Sequence, residues 1–398
     1  MKIALVYDWV VKIGGAERIL VALHEIWPEA PLYTAVYNPQ TAPWARDFKV
    51  IPSFLQKFPL AKTNHELYPW LAPLAFESFN FNEYDIVVSV TTEAAKGIIT
   101  KPKTLHICYC LTPTRYLWSH YDLYFRGEFF RWLTTPVVAY LRKWDKIAGQ
   151  RPDYYFALSE NVKERIKRYY ERGTEEIIYP PVDTEKFNFQ AAGPAKSGQP
   201  ATPRSTATPT PYTLHSTLFF LIVSRLVPYK RIELAIEAFN ELGLPLKIVG
   251  TGSQMGRLKG LAKPNVEFLG ELTEEALLRY YQECQALIFP QEEDLGLTPI
   301  ETQACGRPVI AFKGGGALET VTPGKTGEFF YPQTAEALKR AVGQFKSSRY
   351  KPADCRKNAE RFAKEIFQKN FKNTVERLFS QYDVSRSAKS SPLPLPVR

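Results

Sequence analysis

Long apolar runs are missing from this sequence. The longest, Leu218–Val223, is strand-sized and far short of the roughly 20 residues that a membrane-spanning helix needs. The apolar run after Lys2 reaches only Val6 before Asp8 interrupts the region, so no signal peptide is expected and the chain should stay in the cytosol. Cysteine is scarce, five in 398 residues, too few for a disulfide scaffold. Cys108 and Cys110 flank Tyr109 and find no nearby Cys/His pair, so no metal site is expected and all five read as reduced thiols. Helix-turn-helix, zinc-finger and RNA-binding fingerprints are also missing, which demotes nucleic acid as a partner.

What is present is globular: 45% hydrophobic, 14% aromatic and 23% charged residues, at a length that suggests two domains. The net charge of +10 favours phosphorylated small molecules or anionic lipid. Continuous apolar runs alternate with helical periodicity. Strands are expected at Lys2–Tyr7, Tyr84–Thr91, Thr104–Cys110, Tyr154–Leu158, Leu218–Ser224, Leu246–Gly250, Ala286–Pro290 and Pro308–Phe312. Helices are expected at Ala16–Trp27, Ile232–Leu242, Thr273–Cys284 and Pro299–Cys305. Such runs imply an α/β protein with parallel sheets covered on both faces. The stretch Ala191–Pro211, rich in Pro, Thr, Ala and Ser, lacks the apolar content of a core and reads as a linker or insert. The expected organisation is an N-terminal domain over 1–185, a linker over 186–213, a C-terminal domain over 214–366, a last helix within 367–383 and a loose tail over 384–398.

Four segments carry residues suited to chemistry. Gly14-Gly15 joins the first strand to the first helix, where glycines let a ligand approach the backbone and a helix N-terminus offers N–H groups; a plain tight turn explains the pair equally well. Arg225 and Lys230 lie in a basic loop leaving an apolar strand, and a guanidinium fork with a point charge suits a diphosphate. Without other motifs, a solvated loop would be the simpler reading. The stretch from Glu292 to Glu301 sets Glu293 in a loop and Glu301 in a helix, around Leu295, Gly296 and Leu297. Free amides there suit hydroxyls or phosphate. Gly314-Gly315-Gly316 follows the strand ending at Phe312.

Taken together, "GGAERIL", "SRLVPYKR", the Glu293-x7-Glu301 spacing and "ACGRPVIAFKGGGALETV" resemble glycosyltransferase family 4. "ICYC-TPTRYLW" and "YPPVDTEKF" narrow the resemblance to bacterial O-antigen and exopolysaccharide mannosyltransferases. It covers Met1 to about Tyr382, apart from Ala191–Pro211. It implies the GT-B fold, two Rossmann-like domains facing a cleft. It also implies a hexose transferred with retention from a nucleotide-sugar, GDP-mannose above all, to a polyprenyl-diphosphate-linked glycan in surface polysaccharide synthesis. UDP-sugars serve elsewhere in the family, and no residue here decides the base. The donor is a substrate, and no cofactor or metal is implied.

By the same resemblance, Arg225 and Lys230 hold the donor diphosphate and Gly14-Gly15 approach it. Glu301 takes the ribose hydroxyls. Glu293 contacts the sugar, with the backbone at Leu295, Gly296 and Leu297. Catalytic roles fall to Glu293, Arg225 and Lys230. One departure stands out: relatives tend to carry His where this chain has Leu111. A catalytically degenerate binder of nucleotide-sugar or glycan is therefore the first alternative. A nicotinamide-dependent oxidoreductase ranks below it, since the glycine fingerprint is incomplete. His106 and His120 lie nearby in sequence. Relatives also tend to have Asn where Leu158 stands.

The span Arg115–Arg151 is aromatic and basic. It holds Tyr116, Trp118, Tyr121, Tyr124, Phe125, Phe129, Phe130, Trp132, Tyr140 and Trp144, with seven basic residues against three acidic ones. Aromatics with cations suit an anionic membrane interface, so peripheral docking at the inner face of the plasma membrane is expected. An ordinary helix with buried aromatics is the competing account.

Overall fold

A computed structural model describes residues 1–125, 127–189 and 218–389 of the chain. The Pro/Thr/Ala-rich stretch Ala191–Pro211 lies outside the described residues. The chain forms two compact units. Unit 1 comprises Met1–Val182, the short segment Glu293–Leu297 and the chain from Phe362 on; unit 2 comprises Asp183–Glu292 and Thr298–Arg361.

Unit 1 is built on strands β1 (Ile3–Tyr7), β2 (Leu32–Thr34), β3 (Val50–Pro52), β4 (Ile86–Thr91), β5 (Leu105–Cys110), β6 (Tyr154–Ala157) and β7 (Glu176–Ile177). They form one sheet in the order β3-β2-β1-β4-β5-β6-β7, with every pairing parallel. Every residue of β1, β4 and β5 is buried, which is why these strands read as unbroken apolar runs. His106 belongs to this interior. It is fully buried in β5 and shares a 2.8 Å hydrogen bond with Ser89. Burial, with Arg151 and Arg172 adding, pulls its pKa down to about 3, so it is a neutral core residue.

The last helix completes the same core. It runs from Lys364 to Lys389, past position 384 where composition had suggested a loose tail. No Gly or Pro occurs between Asp383 and Lys389 to stop it. Phe367, Phe371, Val375 and Leu378 are buried, and Phe371 meets Tyr109 and Phe156 edge-on, each at 5.4 Å. Burying each such side chain contributes about 1.5–3 kcal/mol.

Unit 2 carries strands β8 (Phe220–Val223), β9 (Leu246–Val249), β10 (Val266–Gly270), β11 (Leu287–Phe289), β12 (Val309–Phe312) and β13 (Gly327–Phe330). Their order is β10-β9-β8-β11-β12-β13, again all parallel. Ile222, Ile248, Ile288 and Ile310 pack with Ile236, Phe239 and Leu338 from the covering helices. The Ile232–Leu242 helix ends where Gly243 turns left-handed, the common glycine stop.

Both units are thus Rossmann-like. In each, strand order reverses at one place: between β1 and β4 in unit 1, and between β8 and β11 in unit 2. Ligands of open parallel sheets bind beyond the carboxyl ends of the strands at such reversals.

Candidate functional site

In unit 2 the reversal is built from two glycines and two cations. The chain leaving β8 passes very close to the chain leaving β9. The amide of Ser224 donates to the carbonyl of Val249 at 3.0 Å, and that of Leu226 to Thr251 at 2.8 Å. A Cβ on Gly250 would lie 2.0 Å from the Ser224 carbonyl oxygen, and one on Gly252 2.4 Å from that of Leu226. Both glycines also have positive φ, so this approach requires glycine twice. The supported loop presents Arg225, exposed, and Lys230, half-buried. Between them stands Tyr229. Its hydroxyl is 2.6 Å from Nη2 of Arg225, and the Lys230 ammonium lies 5.3 Å from its ring centre. One phenol thereby gathers both cations, by a hydrogen bond and a cation–π contact.

The other side of the reversal follows β11. Gln291 is buried, and among the described residues its Oε1 has no hydrogen-bond partner. Glu301 lies in the Leu297–Ala304 helix, buried, accepting a 2.7 Å hydrogen bond from the Tyr281 hydroxyl. Arg225, Lys230 and Glu301 all belong to unit 2. The triple glycine forms the turn from β12 into the short Ala317–Thr320 helix.

The segment Glu293–Leu297 belongs to unit 1, where it is held at the ends of β5 and β6. Asp294 is buried and paired with both Arg115 and Arg165, with Thr112 at 3.4 Å. The Ser159 hydroxyl donates to the Asp294 carbonyl at 2.6 Å, and the Asn161 amide to that of Glu293 at 3.2 Å. The Glu293 carboxylate lies 3.9 Å from Arg115. Leu295 is buried, and Gly296 turns with φ 92°. Leu297 sits against Gly15: a Cβ there would meet its Cδ1 at 2.8 Å. The space beside Gly15 thus holds an apolar side chain, while Gly14 precedes the Gly15–Ile26 helix.

The reversal in unit 1 is acidic. Asp8, buried just beyond β1, accepts hydrogen bonds from the amides of Thr92, Glu93, Ala94 and Ala95 and from the hydroxyls of Thr91 and Thr92. A carboxylate of the protein itself thus occupies this cradle of amides. Glu17, also buried, accepts from the Tyr7 hydroxyl at 2.7 Å. Partly exposed Glu93 accepts from the Trp9 indole at 3.2 Å, and Trp9 in turn packs on His65, 4.5 Å between ring centres. Leu111 is buried and its amide bonds to the carbonyl of Thr91. His120 pairs with Ser119 at 2.7 Å.

The aromatic span divides. Asp145 in the Glu128–Ala148 helix is buried and takes Lys96, Thr114, Trp118 and Tyr170 as partners. Tyr116, Trp118, Tyr121 and Phe125 pack around Leu117, Val138 and Leu141. Trp144 bonds to Glu77 at 2.7 Å. Tyr124, Trp132 and Tyr140 remain exposed, with Leu133, Val137 and Ile147. Arg126 and the side chains of Phe129 and Phe130 lie outside the described residues. Among the described residues, no helix is long and apolar enough to cross a membrane.

Sequence reasoning had not singled out Tyr229, Gln291, Asp8, Asp294 or the Lys96–Asp145 pair for any role. Gly250-Thr251-Gly252, directly after an apolar strand, was the available signal for the loop support. The buried ion pairs join residues far apart in sequence and leave no local signature.

Residues 213–362 match the family model described as glycosyl transferases group 1. The chain is 26% identical over 344 residues to an α-1,3/1,6-mannosyltransferase of Dictyostelium discoideum, covering 77% of this chain and 79% of that one. It is 33% identical over 139 residues to a GDP-mannose-dependent phosphatidylinositol monomannoside mannosyltransferase of Mycolicibacterium smegmatis, 30% of this chain and 36% of that one. Among solved structures, sucrose-phosphate synthase of Thermosynechococcus elongatus superposes with a TM-score of 0.70 at 19% identity, over 96% of this chain and all of that one. HepE of Anabaena, crystallised with UDP-glucose, gives 0.65 at 16%, over 95% of this chain and all of that one. The fold is GT-B, and the matches support a glycosyltransferase.

Proposed function

We propose that this chain is a retaining hexosyltransferase of glycosyltransferase family 4, related to the O-antigen and exopolysaccharide enzymes. On this reading it moves mannose from GDP-mannose to a polyprenyl-diphosphate-linked glycan during surface polysaccharide assembly. The observation that carries the reading is the Arg225–Tyr229–Lys230 cluster at the sheet reversal of unit 2, inside the region that matches the family model. Departure of a nucleoside diphosphate builds negative charge, and cations already in place stabilise it without reorganising. Tyr229 supplies that placement. Glu301, oriented by Tyr281, suits the ribose hydroxyls, and Glu293 the hydroxyls of the sugar. Gly14-Gly15 and the backbone of Leu295, Gly296 and Leu297 are proposed as further donor contacts on the family resemblance alone, and no metal is required. Relatives named for GDP-mannose favour the guanine donor, whereas the UDP-glucose complex of HepE keeps the uridine donor as the outcome to test against.

The test is a thermal-shift panel with GDP, UDP, ADP, GDP-mannose, UDP-glucose and NAD, followed by transfer with the product anomer read by NMR. A ligand at about a hundred times its Kd adds roughly 2.7 kcal/mol to the folded state. Response to GDP and GDP-mannose alone, with an α-linked product, is expected. A UDP-only response replaces the donor. Binding without hydrolysis or transfer selects the degenerate reading that Leu111 suggests, and a shift with NAD alone revives the oxidoreductase.

Access to a lipid-linked acceptor fits peripheral docking through the Glu128–Ala148 helix. Among its described residues, Trp132, Leu133, Val137, Tyr140 and Ile147 are exposed apolar ones, and Lys143 and Lys146 are exposed among them. Co-sedimentation with phosphatidylglycerol vesicles at low salt, lost in Trp132→Ala/Lys143→Glu, is the expected result. Equal sedimentation of both proteins would remove this helix from the docking face.

A further inference from the structure

Two distant stretches of the chain converge on the Glu293–Leu297 segment. Thr112 and Arg115 lie just beyond β5, and Ser159, Asn161 and Arg165 lie where the chain leaves β6 and enters the Glu160–Tyr170 helix. All belong to unit 1, as does the segment itself. The Ser159 hydroxyl caps that helix by accepting from the Val162 amide at 3.2 Å, and it donates to the Asp294 carbonyl at 2.6 Å. Asn161 and Arg165 are four residues apart and share a helix face. Asn161 donates to the Glu293 carbonyl at 3.2 Å, and Arg165 to the Asp294 carboxylate. Both carbonyls are therefore held from one helix start.

The charges are matched as closely. Asp294 is 6% exposed, and its carboxylate accepts from Arg115 through one oxygen and from Arg165 through the other. A carboxylate this buried needs such pairing. The same Nη2 of Arg115 lies 3.9 Å from the Glu293 carboxylate, within Coulomb range and beyond hydrogen-bond length. Arg115 is thus engaged by Asp294, and that nitrogen attracts Glu293 without bonding to it.

We propose that Asp294 is a positioning residue for the transfer: by engaging Arg115 and Arg165 it keeps Arg115 from capturing the Glu293 carboxylate, which stays directed at the donor sugar. The proposal rests on the glycosyltransferase reading, in which Glu293 contacts the sugar, and adds to it the residue that sets Glu293. Asp294 touches no substrate and acts through Glu293; no bond is made or broken at it. Once Asp294 is neutral, the Arg115 guanidinium closes on Glu293, because a charge-assisted hydrogen bond is stronger than a longer Coulomb contact. The carboxylate then turns toward Arg115 and away from the sugar.

The experiment uses the full chain with GDP-mannose, reading turnover as released GDP and GDP binding by titration calorimetry. Asp294→Asn should lower kcat roughly 30- to 100-fold, the scale of a small misplacement at a reacting group, while GDP, which lacks the sugar, binds within about twofold of wild type. Asp294→Asn/Arg115→Gln, which also removes the captor, should regain at least about tenfold in kcat. In a Glu293→Gln background, Asp294→Asn should change kcat less than about threefold, because residues that act as a unit are not additive. A double variant no faster than Asp294→Asn, or a full loss in the Glu293→Gln background, overturns the positioning role and leaves the glycosyltransferase reading standing. Wild-type protein that releases nucleoside diphosphate from no nucleotide-sugar overturns the reading, and the role with it. Should wild type turn over UDP-glucose instead, the same variants are read on that donor. Should Asp294→Asn fold poorly, GDP binding falls together with kcat, and the same cycle run with Arg165→Gln against Glu293→Gln decides the matter.

Discussion

The two sheet reversals share a geometry and differ in charge. In unit 1 the strand ends converge on Asp8, whose carboxylate takes up the free amides from Thr92 to Ala95. In unit 2 the chain is drawn together by Gly250 and Gly252, and the exposed groups are cationic. One reversal thus already holds a carboxylate among its amides, and the other presents cations. A parallel sheet supplies a place for a ligand; the few residues just beyond its strands determine which chemical class fits.

The largest expected effect falls on the cationic side. Arg225→Ala should lower kcat/KM for the nucleotide-sugar by about 10²- to 10³-fold, as when a preorganised charge-stabilising donor is removed. Steady-state kinetics would read it, and a change below about threefold would break the contrast between the units. On the acidic side, Asp8→Ala orphans four amides and should destabilise unit 1 by roughly 3 kcal/mol. Thermal melting should fall by about 6–12 °C, with no gain of phosphate binding if the fold closes around the loss. Gly250→Ala forces a Cβ against the Ser224 carbonyl and should cost on the order of 2 kcal/mol, read in unit 2 as a lower denaturant midpoint and a weaker donor Kd. Tyr229→Phe removes one hydrogen bond while keeping the ring under Lys230. A three- to tenfold rise in donor KM, about 0.5–1.5 kcal/mol, is expected.

The smallest effect sharpens the acidic side. The folded pKa of Glu93, about 7, exceeds the 4.5 of the free group. On raising the pH, the unfolded chain loses this proton first. Native stability should therefore decline between about pH 4.5 and 7 and level off above. Glu93→Gln should flatten that slope, as pH-dependent urea titrations would show.

The central strands were legible in the sequence because burial on both faces makes them unbroken apolar runs, as in Ile3–Tyr7 and Ile86–Thr91. The short strands Leu32–Thr34, Val50–Pro52 and Glu176–Ile177 were not, since two or three residues carry no periodicity. Strands β10 and β13 also escaped notice, their residues being interrupted by Glu267 and Glu328. At the site, Arg225 and Lys230 stood out as cations after a strand. Tyr229, between them in sequence, gave no sign of its role, because an aromatic in a loop is ordinary until its partners are known. Likewise Asp294 sits in a visible motif, yet Arg115 and Arg165 reach it from more than a hundred residues away. Such pairings are properties of the folded topology.

The last helix gives the chain a particular order of assembly. Unit 1 is left at Val182 and rejoined for good only at Phe362, so Phe367 and Phe371 emerge from the ribosome after all of unit 2. At about 5–20 residues per second, the intervening chain takes on the order of ten to forty seconds to make. Throughout that interval Tyr109 and Phe156 await the aromatic side chains that will cover them. Nascent unit 1 is accordingly a natural client for chaperones, and a premature stop before Phe367 would leave its sheet uncovered, marked for proteolysis.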